Sequence, residues 1–214
     1  MPMNRAILIT RPDHDLVTKY LYAWTGLFIK IAKKKGVKYF DLSGKKAIRQ
    51  KFESYLKKQK PSLLFLNGHG SREVITGHDD EILIDKDSSF RGGVTYARSC
   101  DAGQLLGRIL VNSGLETFIG YKRKFILGYS PDKTTKPLQD NIAKLFLEPS
   151  NLVPSTLLKG HTSQNAYERS KQAMHKNFQK MISSVATFEE RYAAKWLWSN
   201  MSCQVLLGNP HSKI

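Results

Sequence analysis

Cysteine is scarce in this chain: two residues, Cys100 and Cys203, in 214. That number excludes a disulfide scaffold and a four-cysteine zinc site. Long apolar runs are missing too, so no segment reads as a membrane span and no membrane partner is expected. The opening residues, Met1 to Arg5, lack the apolar stretch and cleavage site of a secretory signal, so the expectation is a cytoplasmic protein with reduced thiols. Acidic residues are also few, 18 against 34 Lys and Arg, a formal net charge of +16. Between residues 28 and 60 the imbalance reaches 12 basic to two acidic side chains, Asp41 and Glu53. Such a field attracts nucleic acid or acidic protein. Lysines dominate it without interleaved aromatics for base stacking, so a solvated lysine face is preferred over a nucleic-acid site.

What is present is a rhythm. Ala6 to Thr10 is a short β-branched strand, stopped at Pro12 and Asp13, with Asp13 as helix cap. Leu16, Val17, Tyr20, Leu21, Trp24, Phe28 and Ile31 recur at helical spacing to about Ala32. Gly36 closes that helix and Val37 to Leu42 is a second strand. A helix opened by Ser43, with Ile48, Phe52, Tyr55 and Leu56 on one face, runs to Pro61. Ser62 to Leu66, Gly93 to Arg98 and Glu116 to Tyr121 are further strands, and Gln104 to Asn112 is a helix. After a loop over residues 122–136, helices are predicted over 137–147, 163–183 and 188–198, with a last strand at Cys203 to Leu207. Continuous apolar strands alternating with helices specify a mostly parallel sheet of about six strands, covered on both faces: a three-layer α/β/α sandwich. No linker or repeat divides the chain, so one domain over residues 1–214 is expected, residues 1–121 forming its core and 122–214 a helical and loop half.

Ligands of open parallel sheets collect at the carboxyl ends of the strands. Two of those ends carry chemistry. One runs into Asn67-Gly68-His69-Gly70-Ser71, whose glycines permit a sharp turn and close approach. The other runs into Arg98-Ser99-Cys100-Asp101-Ala102-Gly103. A thiol at a helix N-terminus would be biased toward thiolate. The imidazole would move protons, and the N–H groups of Gly70 and Cys100 are placed for an oxyanion. Asp101 is expected to point away from the sulfur. Each residue alone reads more simply as a loop histidine or a small buried cysteine; their pairing carries the case. His78 is the lesser candidate for the histidine, and Cys203 a core residue.

These blocks resemble those of the caspase-like cysteine peptidases (clan CD), nearest to the CHAT and gingipain-like prokaryotic members. Leu63 to Gly70 is similar to the histidine block and Val94 to Gly103 to the cysteine block. Leu105 to Tyr121 and Val205 to Pro210 resemble the following helix and strand and the terminal L-L-G-D-P of gingipain-type domains, with Asn209 replacing Asp. The 31-residue separation of His69 and Cys100 departs from caspases proper. The resemblance implies a caspase-like fold and a Cys–His endopeptidase without a cofactor, with His69 and Cys100 catalytic. It implies a protein or peptide substrate, and a regulatory protein partner is a further expectation. An idle binding or regulatory module using the basic surface is the alternative. It also puts the residue two before the nucleophile in the substrate pocket. There Arg98, with Asp101 nearby, would select an acidic or polar P1 side chain, unless Arg98 simply pairs with a carboxylate such as Asp101. The acidic stretch Asp79, Asp80, Glu81, Asp85 and Asp87 lacks EF-hand spacing, so no metal is expected there.

Overall fold

The computed structural model describes residues 5–78, 81–84 and 92–214. Of the acidic stretch, only Glu81 therefore lies among the described residues. Strand β1 (Ala6–Arg11) is followed by helix α1 (Leu16–Lys34), β2 (Lys38–Ser43), α2 (Arg49–Gln59) and β3 (Leu63–Asn67). A small hairpin, β4 (Val74–Thr76) and β5 (Glu81–Ile84), precedes β6 (Val94–Arg98), α3 (Leu106–Asn112) and β7 (Thr117–Tyr121). Helices α4 (Asn141–Leu158), α5 (Ser163–Met181) and α6 (Phe188–Cys203) lead into β8 (Gln204–Gly208).

The main sheet has six strands in the order β2-β1-β3-β6-β7-β8. All neighbours are parallel except β7 and β8. This is the predicted three-layer fold. β3, β6 and β7 are buried along their whole length, which explains their unbroken apolar runs. One face packs Tyr20, Trp24, Phe28, Phe146, Leu157 and Leu197 from α1, α4 and α6. The other packs Phe52, Leu56, Leu106 and Leu110 from α2 and α3. Among the described residues no helix is long and apolar enough to cross a membrane.

Several local expectations change: the helix expected to open at Ser43 begins only at Arg49, with Ser43 ending β2, and Cys203 ends α6 instead of opening β8. The cap of α1 is Asp15, not Asp13: its side chain accepts from the Thr18 N–H, and the Thr18 hydroxyl accepts from the Asp15 N–H in return. Helix α4 does not stop near Leu147 but runs on through Pro149 and Pro154. A proline at 149 deprives the Leu145 carbonyl of its helical donor. The Asn177 side chain of α5 supplies the replacement, Nδ2 donating to Leu145 O at 2.8 Å.

That extension decides the fate of Arg98. The guanidinium is fully buried, turned into the layer between the sheet, α1 and α4. Nε donates to Asn67 Oδ1 (2.6 Å), Nη1 to Ser150 Oγ and Asn151 Oδ1 (3.2 and 3.1 Å), and Nη2 to the hydroxyl of Thr25 and the Leu21 carbonyl. The group also lies over the Phe65 ring, 4.8 Å from its centroid. The acceptors are all neutral, so Arg98 makes neither the pocket wall nor the Asp101 ion pair expected of it; burial draws its pKa down to about 10. Its role is to fix the strand ends. Asn67 Nδ2 in turn donates to Thr10 O at 2.7 Å, so the ends of β1, β3 and β6 are tied in a row.

Arg98→Met would orphan several buried acceptors at once, and a loss of about 3 kcal/mol of stability is expected. Denaturant unfolding measures it; a change below about 1 kcal/mol would show that the network is not structural.

Candidate active site

The chain winds from β1 outward to β2, then returns across β1 to β3 and onward to β6. The order therefore reverses between β1 and β3, and in open α/β sheets the crevice outside the carboxyl ends at such a switch point is where ligands bind. The loops after β1, β3 and β6 carry Asp15, His69 and Cys100.

The register sets the two predicted residues level. Asn67 of β3 pairs with Arg98 of β6. His69 and Cys100 each lie two residues beyond that pair. Close packing holds the loops together. A Cβ on Gly70 would come within 2.8 Å of Ser99 Cβ and 2.9 Å of Cys100 O, and one on Gly68 within 2.1 Å of Thr76 O. Only glycine fits at both places. Gly70 faces Ile75 in an antiparallel bridge whose hydrogen bonds run from Ser71 N to Val74 O and from Thr76 N to His69 O. That pattern leaves the Gly70 N–H out of the ladder.

His69 is half-exposed, and its Nε2 is hydrogen-bonded to Asp15 Oδ2. A carboxylate only accepts, so Nε2 carries the proton and Nδ1 is the nitrogen left for chemistry. Asp15 was missed by sequence reasoning, although its place just past the end of the first strand was a usable signal. Burial pushes its carboxyl up, but bonds from the Thr18 N–H, His69 and the Thr18 hydroxyl outweigh this and hold it at about 2. His14 stands beside it, Nε2 at 3.5 Å from Asp15 Oδ2. His78, the lesser candidate, packs edge-on against His14 with ring centroids 5.3 Å apart and places Nδ1 3.7 Å from Asp13 Oδ1.

Cys100 is partly buried and its thiol donates to the Phe125 carbonyl at 3.9 Å. The expected thiolate bias from a helix N-terminus is not realised. Helix α3 has seven residues and begins only at Leu106, after a turn. Burial, chiefly, and the Asp101 charge push the thiol up, against the Phe125 bond and Lys124. Asp101 adopts a left-handed backbone (φ 58°) and accepts from Gln104 Nε2 at 2.9 Å. It thus shapes the turn while still acting on the sulfur through its charge. Cys203 is fully buried, in agreement with a core role.

Two depressions are found among the described residues, the second of them reaching the turn after Cys100. An apolar cleft of about 320 Å³ begins at Ile126 and Leu127, right after the Phe125 carbonyl, and is walled by Phe188, Tyr192 and Trp196. A basic one of about 590 Å³ is lined by Arg72, Arg108, Lys122 and Arg123 together with Gly103 and Gln104.

No family model and no curated protein matches the chain. Among solved structures, it is similar to the complex of Porphyromonas gingivalis RgpB pro- and mature domains, with a TM-score of 0.58 and 10% identity. The match covers 97% of this chain and 48% of the other, so the chain spans about half of that protein's length. At this identity the likeness speaks for the fold alone: a mostly parallel six-stranded sheet with helices on both faces. Apo CalE6, a methionine gamma lyase from Micromonospora echinospora, overlaps at a TM-score of 0.30 and 15% identity, too low to carry an argument.

The Asp15 carboxylate contributes its stabilising bonds above its ordinary pKa of 3.8, and loses them as pH falls through about 2. Carboxyl NMR should give a midpoint near 2, rising toward 3.8 in His69→Ala; an ordinary midpoint in the parent protein contradicts the His69 pairing. Gly70→Ala should cost about 1–3 kcal/mol by forcing the two loops apart. Gly26→Ala in α1, where a Cβ finds only an ordinary contact at 3.7 Å, should instead be neutral or stabilising by up to about 1 kcal/mol. Equal thermal shifts for the two would remove the close-approach argument.

Proposed function

We propose that the chain is a cysteine endopeptidase in which Cys100, His69 and Asp15 act together. The observation that carries the reading is the register: the thiol and the imidazole leave adjacent parallel strands at matching positions. Asp15 supports the reading further, because a carboxylate on Nε2 fixes the tautomer and turns Nδ1 into the working nitrogen.

The resting thiol is neutral, so the nucleophile forms on demand. The Cys100 proton passes to His69 Nδ1 as the sulfur attacks the substrate carbonyl carbon. The Gly70 and Cys100 N–H groups are the donors for the oxyanion. When the C–N bond breaks, the imidazolium protonates the departing amine and a thioester remains. Water then attacks the thioester, gives a proton to His69, and the acid product leaves as the thiol is restored. Asp15 is the positioning residue throughout: it holds the ring and stabilises its cationic form.

The partner is a protein or peptide substrate. The acidic preference first attached to Arg98 is better supported by Arg72, Arg108, Lys122 and Arg123, whose basic depression adjoins the Cys100 turn. A working thiol must stay reduced, which suits a cytoplasmic location.

Incubation with a peptidyl acyloxymethyl ketone should attach one label per chain, at Cys100, and Cys100→Ala should take none. Labelling that persists in Cys100→Ala, or that is equally fast in His69→Ala, would count against the peptidase and leave the idle binding module.

A further inference from the structure

The carboxyl-end crevice between β1 and β3 holds more histidine than proton transfer requires. His14, Asp15 and His69 each offer one ligand atom, and the three atoms all lie within 4.8 Å of one another; Nε2 of both histidines is the atom nearest Asp15 Oδ2 in the ion pairs they make with it. The His14 and His69 rings meet at 61°, 5.8 Å between centroids, so their nitrogens converge on the carboxylate from two sides. Asp15 is unusually well prepared for a second task. Its Oδ1 is committed to the Thr18 N–H and hydroxyl at 2.8 and 2.9 Å, which leaves Oδ2 facing both rings.

Two imidazoles and a carboxylate match the nitrogen and oxygen preferences of zinc and its first-row neighbours, and are a poor set for calcium or magnesium. Zinc donors lie about 2.0–2.2 Å from the ion, which in a tetrahedron separates them by about 3.3–3.6 Å. The 3.5 Å between His14 Nε2 and Asp15 Oδ2 already fits. Three protein ligands leave a position for water. All three side chains reach solvent, so an ion has a path in.

We propose that this triplet is a zinc site that switches the peptidase off. The proposal rests on the peptidase reading for its consequence, but not for the binding itself. To take a divalent ion, the neutral His69 ring moves its single proton from Nε2 to Nδ1 by exchange with solvent, and the Nε2 lone pair that this frees goes to the ion. The metal-bound ring stays neutral and holds that one proton on Nδ1. In that tautomer Nδ1 has no lone pair for the Cys100 proton, so the sulfur cannot be activated. The same move removes Asp15 from the ring, since Oδ2 becomes a ligand. Inhibition therefore arises at the rear of the imidazole, with Cys100 outside the ligand set.

The test is a titration of the chelator-treated full chain with Co²⁺, read by its visible d–d absorption, and then with Zn²⁺ in competition. One Co²⁺ per chain is expected, displaced by Zn²⁺. His14→Ala and Asp15→Asn should each weaken binding at least tenfold; asparagine keeps the helix cap, so a folded protein is retained. Cys100→Ala should bind as the parent does. No d–d absorption, undiminished affinity in His14→Ala, or a sulfur-to-cobalt charge-transfer band that vanishes with Cys100 would each overturn the site. Where ketone labelling has established the peptidase, saturating Zn²⁺ should lower peptide hydrolysis more than tenfold; metal binding without that loss would overturn the switch. Failure to label Cys100 would sink the peptidase while the cobalt titration still decides the metal.

Discussion

A buried guanidinium with only neutral partners governs this molecule. Arg98 stays charged at neutral pH and lies outside the reach of water, so its donors must be met by the protein. Asn67, Thr25, Leu21, Ser150 and Asn151 meet them from β3, α1 and α4. The cost of leaving any one donor unmet ties these elements together. Because Asn67 also reaches Thr10, the ends of β1, β3 and β6 share one polar seam directly beneath the crevice. Asp15, His69 and Cys100 begin within a few residues of it, so their relative placement is inherited from the seam.

Above that seam the electrostatics divide the labour. Asp15 is held ionised by bonds that favour its charge, and it directs the His69 ring from behind. Cys100 is kept neutral by burial and by Asp101, with its thiol resting on the Phe125 carbonyl. His14 adds a third atom able to ligate a cation to the Asp15–His69 pair. Proton transfer and cation capture would compete for the same imidazole because they use opposite nitrogens of one ring.

The places where sequence reasoning fell short have specific physical reasons. The helix predicted to end at Leu147 runs on as α4 through Pro149, where a proline would ordinarily break it. Asn177, 32 residues after Leu145, gives the Leu145 carbonyl the donor that Pro149 lacks. Arg98 stands two residues before the thiol, as a pocket residue would, yet its side chain alternates inward to the α1–α4 layer. Thiolate stabilisation was inferred from adjacency to a helix, but a turn with left-handed Asp101 intervenes. Asp15 was passed over, although it stands just past the first strand, because its bond to His69 is made across 54 positions of chain.

Period and punctuation alone determined the alternation of strands and helices, the parallel sheet with both faces covered, and the two loops that carry His69 and Cys100. These are local facts: apolar run length, glycines on both sides of the histidine, and turn residues after each strand. Only the folded chain decided which carboxylate stands behind the imidazole, where the Arg98 charge is satisfied and in what protonation state the thiol rests. Each of those depends on burial and on partners distant in sequence, and both come into being only when the strands take their places in the sheet.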